Sequence, residues 1–225
     1  MIHFFTPEID YNQERVYDRL QIRENTRAYA YVEKIFPEIL ELTRRNMDLF
    51  LCYRILSPTF NFDIPMLDRC EKWIVCLVSC SDQIFQIIQE KMDNDEFLEG
   101  YLINDLSNEI LFNASLEMNR RISDQLKAEN LSLTHRFSPG EPPFDLVNQK
   151  KLLGLLQEKI DVPITLTSHY MLRPEKSMLY IFGAGRGIEQ GSIEHNCATC
   201  SVRNCSYSIY SQKCKDIQKV KQTNI

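Results

Sequence analysis

Two periods of apolar and polar residues run through the chain, and the switches between them mark out its elements. From Glu14 to Arg45 the apolar positions Val16, Leu20, Tyr31, Ile35, Ile39 and Leu42 recur at helical spacing. Pro37 stands where a second helix would start or a long one would kink. Residues 1–12 carry neither period and read as an irregular lead-in. Phe50–Pro65 mixes apolar residues with Pro58 and Pro65 and reads as loop and short helix. Lys72–Cys80, KWIVCLVSC, is a continuous apolar run with polar flanks, which predicts a buried strand. Within it Trp73, Cys76 and Cys80 read as packing residues, since a cysteine in an apolar strand behaves as a small hydrophobe. Asp82–Lys91 predicts a short helix with Ile84, Phe85, Ile87 and Ile88 inward. Glu96–Glu129 gives the longest helical pattern: Leu102, Leu106, Ile110, Ala114, Met118, Ile122 and Leu126 recur every fourth residue, as a core-facing stripe does. Glu109 and Glu117 are assigned to its solvated side.

The chain then changes character. Leu131–Arg136 alternates as a half-buried strand, with His135 on the face of Leu131 and Leu133 as a partly buried core histidine. Ser138-Pro139-Gly140 forces a turn, and Pro142 and Pro143 keep the backbone extended. Asp145 is placed to cap a helix carrying Leu146, Leu153, Leu156 and Ile160. Ile164–Leu172 reads as a strand, Arg173-Pro174-Glu175-Lys176 as a turn with proline pre-set at its second position, and Met178–Phe182 as the returning strand. On the first of these strands His169 shares a face with Thr165 and Thr167. It would reach a ligand beside Arg136 if the two strands pair.

These residues carry a family resemblance. Arg136-Phe137-Ser138-Pro139-Gly140, then Gln149, then Leu166-Thr167, then Pro174 and Ser177, resembles the reactivation domain of cobalamin-dependent methionine synthase, and more closely the stand-alone bacterial proteins related to it. The resemblance covers Leu131–Gly183 and is faint over the helices before it. It implies a twisted sheet flanked by helices, and a domain that lays S-adenosylmethionine over a corrinoid, where an electron and a methyl group restore methylcobalamin from cob(II)alamin. Carried over by position, Arg136 pairs with the ligand carboxylate, for which a planar guanidinium is suited. The Pro139-Gly140 turn lets the backbone approach the ligand. The candidate cofactor-binding set is Arg136, Ser138, Pro139, Gly140, Glu141 and His169. The sequence departs from the family at Glu141, where the family has tyrosine, and at Ser168, where methionine synthase has an acidic residue.

Composition narrows the partners. A formal net charge of −5 argues against nucleic acid, whose phosphates want a basic face. No apolar run approaches the ~20 residues that span a bilayer, and MIHFFTPEIDYNQER lacks the basic start and apolar stretch of a signal peptide. Eight cysteines without an export signal point to a reducing, cytoplasmic setting, where clustered cysteines more often hold metal than form disulfides. Gly183-Ala-Gly185-Arg-Gly187-Ile-Glu-Gln-Gly191 is neither a dinucleotide fingerprint nor a Walker motif, and reads as a flexible linker.

Beyond it, Cys197 and Cys200 have the C-x-x-C spacing that lets two thiolates reach one metal, and Cys205 and Cys214 complete a four-thiolate set, with His195 as a substitute ligand. Four thiolates suit a closed structural zinc site or a [4Fe-4S] cluster alike. The corrinoid resemblance favours the cluster, because reactivation needs a low-potential electron. Lys213, Lys215, Lys219 and Lys221 make a modestly basic end that reads as a solvated helix.

The sequence therefore predicts an α+β domain over 1–183, with a curved, mainly antiparallel sheet of Lys72–Cys80, Leu131–Arg136, Ile164–Leu172 and Met178–Phe182 packed by long helices. A glycine-rich linker (184–192) and a cysteine-rich metal-binding tail (193–225) follow. The resemblance implies an accessory protein for a corrinoid protein or corrinoid methyltransferase, part of a reductive activation system served by an electron-donor protein. Two alternatives stay open: a non-catalytic corrinoid-protein-binding module that has lost S-adenosylmethionine, and a simple iron-sulfur electron carrier.

Overall fold

The apolar run that predicts a buried strand lies at the middle of the fold. The computed structural model describes residues 2–159, 161, 163–194, 205 and 207. Its elements in chain order are β1 (Ile2–Phe5), α1 (Gln13–Arg19), α2 (Arg27–Asn46), β2 (Leu49–Leu56), α3 (Pro65–Asp68), β3 (Lys72–Cys80), α4 (Gln83–Asp93), α5 (Phe97–Ala128), β4 (Ser132–Leu133), α6 (Asn148–Gln157), β5 (Thr165–Leu166), β6 (Leu172–Arg173) and β7 (Ser177–Gly185). The sheet order is β1-β2-β3-β7-β4, and every described pairing in it is antiparallel. The α+β class therefore holds.

β3 is covered on both faces, which is why its sequence is continuously apolar rather than alternating. Ile74, Cys76, Val78 and Cys80 face one core, together with Tyr180 and Phe182 of β7 and the stripe of α5. Trp73, Val75 and Leu77 face a second core, with Leu179 and Ile181 of β7, Leu152 and Leu156 of α6, and Ile164 and Leu172. Helices α1, α2, α4 and α5 cover the first face, while α3, α6 and the β5–β6 pair cover the second. At 32 residues α5 is the longest element, about 48 Å from end to end.

The helices fall close to their predicted places. Asn12 caps α1 by accepting from Arg15 N at 3.0 Å, leaving one fewer unsatisfied amide at the helix start. Pro37 neither starts nor ends a helix; α2 runs through it, and the break falls earlier, around Gln21 with its positive φ. Asp145 holds Asn148 N with its backbone carbonyl rather than its side chain, so α6 starts two residues later than the cap predicts; Ile160 lies outside the described residues.

The strands depart further from expectation. β1 and β2, read as lead-in and loop, pair in register from Ile2↔Arg54 to Phe5↔Leu51. The prolines that suggested a loop, Pro58 and Pro65, lie beyond the end of β2. Ile164–Leu172 is not a strand of the main sheet. It folds on itself as the short β5–β6 pair, a separate two-stranded sheet, because Thr167 and Tyr170 close a tight turn between them. Glu109 is not on a solvated face: its side chain is 3% exposed and ion-paired with Arg19 at 2.8 Å. Glu117 is partly exposed and pairs with Arg121, as a surface carboxylate does.

Candidate functional site

The Arg136 site is built on the sheet edge. β4 pairs with β7 through Ser132↔Gly185 and Leu133↔Ala184, and the chain keeps that company past the strand's end. Thr134 N donates to Gly183 O, and Phe137 and Ile181 exchange both backbone bonds at 2.9 Å. This pairing fixes which way each side chain points. Phe137 turns into the second core with Ile181. Arg136, its neighbour, is turned to the α5 side, and its guanidinium lies 5.1 Å from the ring centroid of Tyr180. Only 12% of the Arg136 side chain is exposed, so its charge sits in a poorly solvated place where a cation over an aromatic face is worth most.

Tyr180 carries the site inward. Its hydroxyl donates to Asn119 Oδ1 at 2.8 Å and shares a 2.9 Å bond with Ser115 Oγ, both on α5. Burial raises the phenol well above its ordinary pKa, so it stays protonated and can hold these bonds. His135, half-buried with its ring 4.2 Å from that of Phe137, is lowered by burial below the usual imidazole value, which favours its neutral form at neutral pH.

The turn after Arg136 is closed by backbone bonds from Glu141 N to Ser138 O, Phe144 N to Glu141 O and Gly140 N to Phe144 O. Gly140 has φ +93°, a conformation that side chains strongly disfavour, which is what the glycine is for. Ser138, Pro139 and Gly140 thus occupy one tight turn beside Arg136. Glu141 returns toward it, with Oε1 3.9 Å from Arg136 Nη2.

His169 is not brought to this site through a shared strand face. It is exposed in the turn between β5 and β6, so strand alternation does not reach it. Its neighbour Tyr170 accepts from Gln149 Nε2 of α6, which ties the turn to the layer over the second core, whereas Arg136 faces the first. Ser168 is exposed in the same turn.

The glycine-rich stretch is more ordered in its role than a linker. Gly183 and Gly185 belong to β7. Gly191 N donates to Leu133 O at 2.8 Å, and Gln190 Oε1 accepts from Leu133 N, so the chain after β7 lines the exposed side of β4. A Cβ on Gly191 would lie 2.0 Å from His135 N, a backbone atom that cannot move aside.

Of the cysteine set, Cys205 is described: it is a free thiol of intermediate exposure. Cys197, Cys200 and Cys214, with His195, lie outside the described residues. Among the described residues no three His, Cys, Asp or Glu side chains converge as a metal site requires. Cys52, Cys70, Cys76 and Cys80 are buried and free. Burial pushes the thiols of Cys70 and Cys80 up to about 11 and that of Cys52 up to about 12, which makes them poor nucleophiles and ligands.

A second polar cluster escaped the sequence reading. Arg19 of α1 donates its Nε hydrogen to Asp105 Oδ2 at 2.8 Å and forms an ion pair with Glu109 Oε2, also of α5, at 2.8 Å. Lys176 Nζ reaches Asn104 Oδ1 at 2.9 Å and Asn108 Oδ1 at 2.7 Å. The signal was present: Glu109 follows Leu102 by two helical turns, so it returns to the apolar stripe and must be buried with a partner.

No protein-family model and no curated protein matches the chain. Its fold is similar to that in the crystal structure of the MetH reactivation domain bound to AdoHcy, with a TM-score of 0.59 and 10% sequence identity over 86% of this chain and 81% of that one. At that identity the likeness is one of fold. No helix among the described residues is long and apolar enough to cross a membrane.

Proposed function

We propose that this protein is an accessory module for a corrinoid-dependent methyltransferase, docking on the corrinoid protein and supporting reductive reactivation of cob(II)alamin. One observation carries the reading: the Arg136–Gly140 motif forms an edge-strand-and-turn site on a fold similar to a reactivation domain whose crystal structure holds AdoHcy. The donor chemistry suits such a ligand. A guanidinium largely withdrawn from water, at the mouth of a tight glycine turn, favours a carboxylate beside an approachable backbone. In this reading Arg136 holds the carboxylate of S-adenosylmethionine, while Ser138, Pro139 and Gly140 shape the turn against it. When bound, S-adenosylmethionine supplies the methyl group; the corrinoid comes with the partner. Cys197, Cys200, Cys205 and Cys214 would hold a [4Fe-4S] cluster that relays the electron, or a zinc that staples the segment and leaves the electron to a separate donor protein.

Calorimetric titration of the full chain with S-adenosylmethionine and with AdoHcy tests the ligand half. Saturable binding that weakens at least about tenfold in Arg136→Ala is expected, the loss of a charge-assisted pair being worth that much. Absence of heat with either ligand would sink it. A second reading would then stand, a corrinoid-protein-binding module without the ligand, which the 3.9 Å approach of Glu141 to Arg136 favours. Iron, zinc and sulfide content of anaerobically purified protein separates cluster from zinc. A simple electron carrier would instead be reduced reversibly and tolerate Arg136→Ala.

A further inference from the structure

We infer that the α1–α5 groove is a docking site for the chain's own cysteine-rich segment, with Tyr207 as the anchor. The inference rests on neither the ligand nor the metal reading. Tyr207 is far from this groove in sequence yet is held there by both its hydroxyl and its ring. Its hydroxyl donates to Asp105 Oδ1 at 3.1 Å and accepts from Asn108 Nδ2 at 2.7 Å. Its ring meets Phe112 edge-on at 5.4 Å, and the Arg19 guanidinium lies 5.0 Å from its centroid.

The groove suits a tyrosine for chemical reasons. Asp105 and Glu109 both pair with Arg19, and Lys176 is bonded to Asn104 and Asn108, so the charged groups around the groove already have partners and a neutral side chain suits it. Asp105 Oδ1 and Asn108 Nδ2 offer an acceptor and a donor side by side, the complement of a hydroxyl. Phe112 and Arg19 supply an aromatic wall and a cationic face, the complement of a ring. A phenylalanine would leave the two polar groups without the hydroxyl, and a carboxylate would meet Asp105. A cavity of about 300 Å3, lined in part by Asn104, Asn108, Phe112 and Lys176, adjoins the anchor.

A second tie holds the near end of the segment. Asn119 Nδ2, farther along α5, donates to Ile193 O at 2.9 Å. Asn108 and Asn119 lie about 17 Å apart along the helix, while the chain from Ile193 to Tyr207 can reach up to about 48 Å. The distance between the two ties is therefore within the reach of the intervening number of residues. Cys205, two residues before the anchor, is thereby kept at the α5 face, on the side of the sheet where Arg136 lies over Tyr180.

Limited trypsin digestion of the full chain, followed at Arg203 by mass spectrometry, tests the anchor. Tyr207→Ala is expected to speed that cleavage tenfold or more. Tyr207→Phe, which keeps the ring contacts, should speed it by a smaller factor, and the melting of the core should stay unchanged in both. Equal rates in all three proteins would overturn the inference. So would a rate that rises only in step with global unfolding, because Tyr207 would then be a core residue rather than the anchor of a segment.

Discussion

Glu141 Oε1 lies 3.9 Å from Arg136 Nη2, and Glu141 is the more exposed partner, so a carboxylate arriving at Arg136 competes with one already present. An ion pair with one exposed member is worth about 1 kcal/mol or less, an amount that a bound ligand can overcome but will register. Glu141→Gln is therefore expected to tighten S-adenosylmethionine binding by up to about fivefold, while leaving the melting temperature nearly unchanged. Calorimetry on the variant checks this, and weaker binding would mean that Glu141 contributes to the site rather than competing for it. The sequence placed Arg136, Ser138, Gly140 and Glu141 in one strand and turn, and they are together, because their grouping is local. His169 was harder to place. Its position depended on whether Thr167–Met171 continued a strand or closed on itself, which Tyr170 decides by adopting φ +61°.

Helices were legible and strands less so, for a physical reason. A helix such as α5 writes its buried stripe into its own sequence, whereas a strand's role depends on distant neighbours. β2 is central enough to be buried at Leu51, Cys52 and Tyr53, yet its apolar run alone could not separate it from a loop or short helix. The glycine-rich stretch posed the same problem. Its composition suggests freedom, but Gly191 is a point of close backbone approach to β4, legible only once the sheet edge is known. Gly191→Ala should therefore free the chain after β7 from that edge. Hydrogen exchange at the amides of Leu133 and residue 191 is expected to accelerate, because the Gly191 N–H to Leu133 O bond and the Gln190 contact depend on that approach. Unchanged exchange at both would mean that the backbone shifts without cost and that another residue could serve.

The chain divides its eight cysteines between two environments, with Cys52, Cys70, Cys76 and Cys80 sealed in the two cores and Cys197, Cys200, Cys205 and Cys214 in the C-terminal segment. The sealed set has a consequence for the whole molecule. Burial raises all four thiols: Cys70 and Cys80 to about 11, Cys52 to about 12, and Cys76 well above its ordinary value. Each folded-state pKa exceeds the unfolded value near 9. The stability these protonated thiols allow is fully present below pH 9 and is lost as pH rises through the folded values. Lys176 acts oppositely, since burial lowers its ammonium to about 8, and between about pH 8 and 10.5 its deprotonation in the folded state favours folding as pH rises. Four thiols outweigh one amine once the pH passes 9, each contributing up to about 1.4 kcal/mol per pH unit. Urea unfolding under reducing conditions should therefore give nearly constant stability from pH 7 to 8.5 and a clear fall by pH 10. Cys52→Ala should lessen the slope of that fall even though it lowers stability at pH 7 by leaving a small cavity. A slope the same in Cys52→Ala as in the parent protein would show that the buried tyrosines, Tyr180 first among them, and not the thiols, set the alkaline limit.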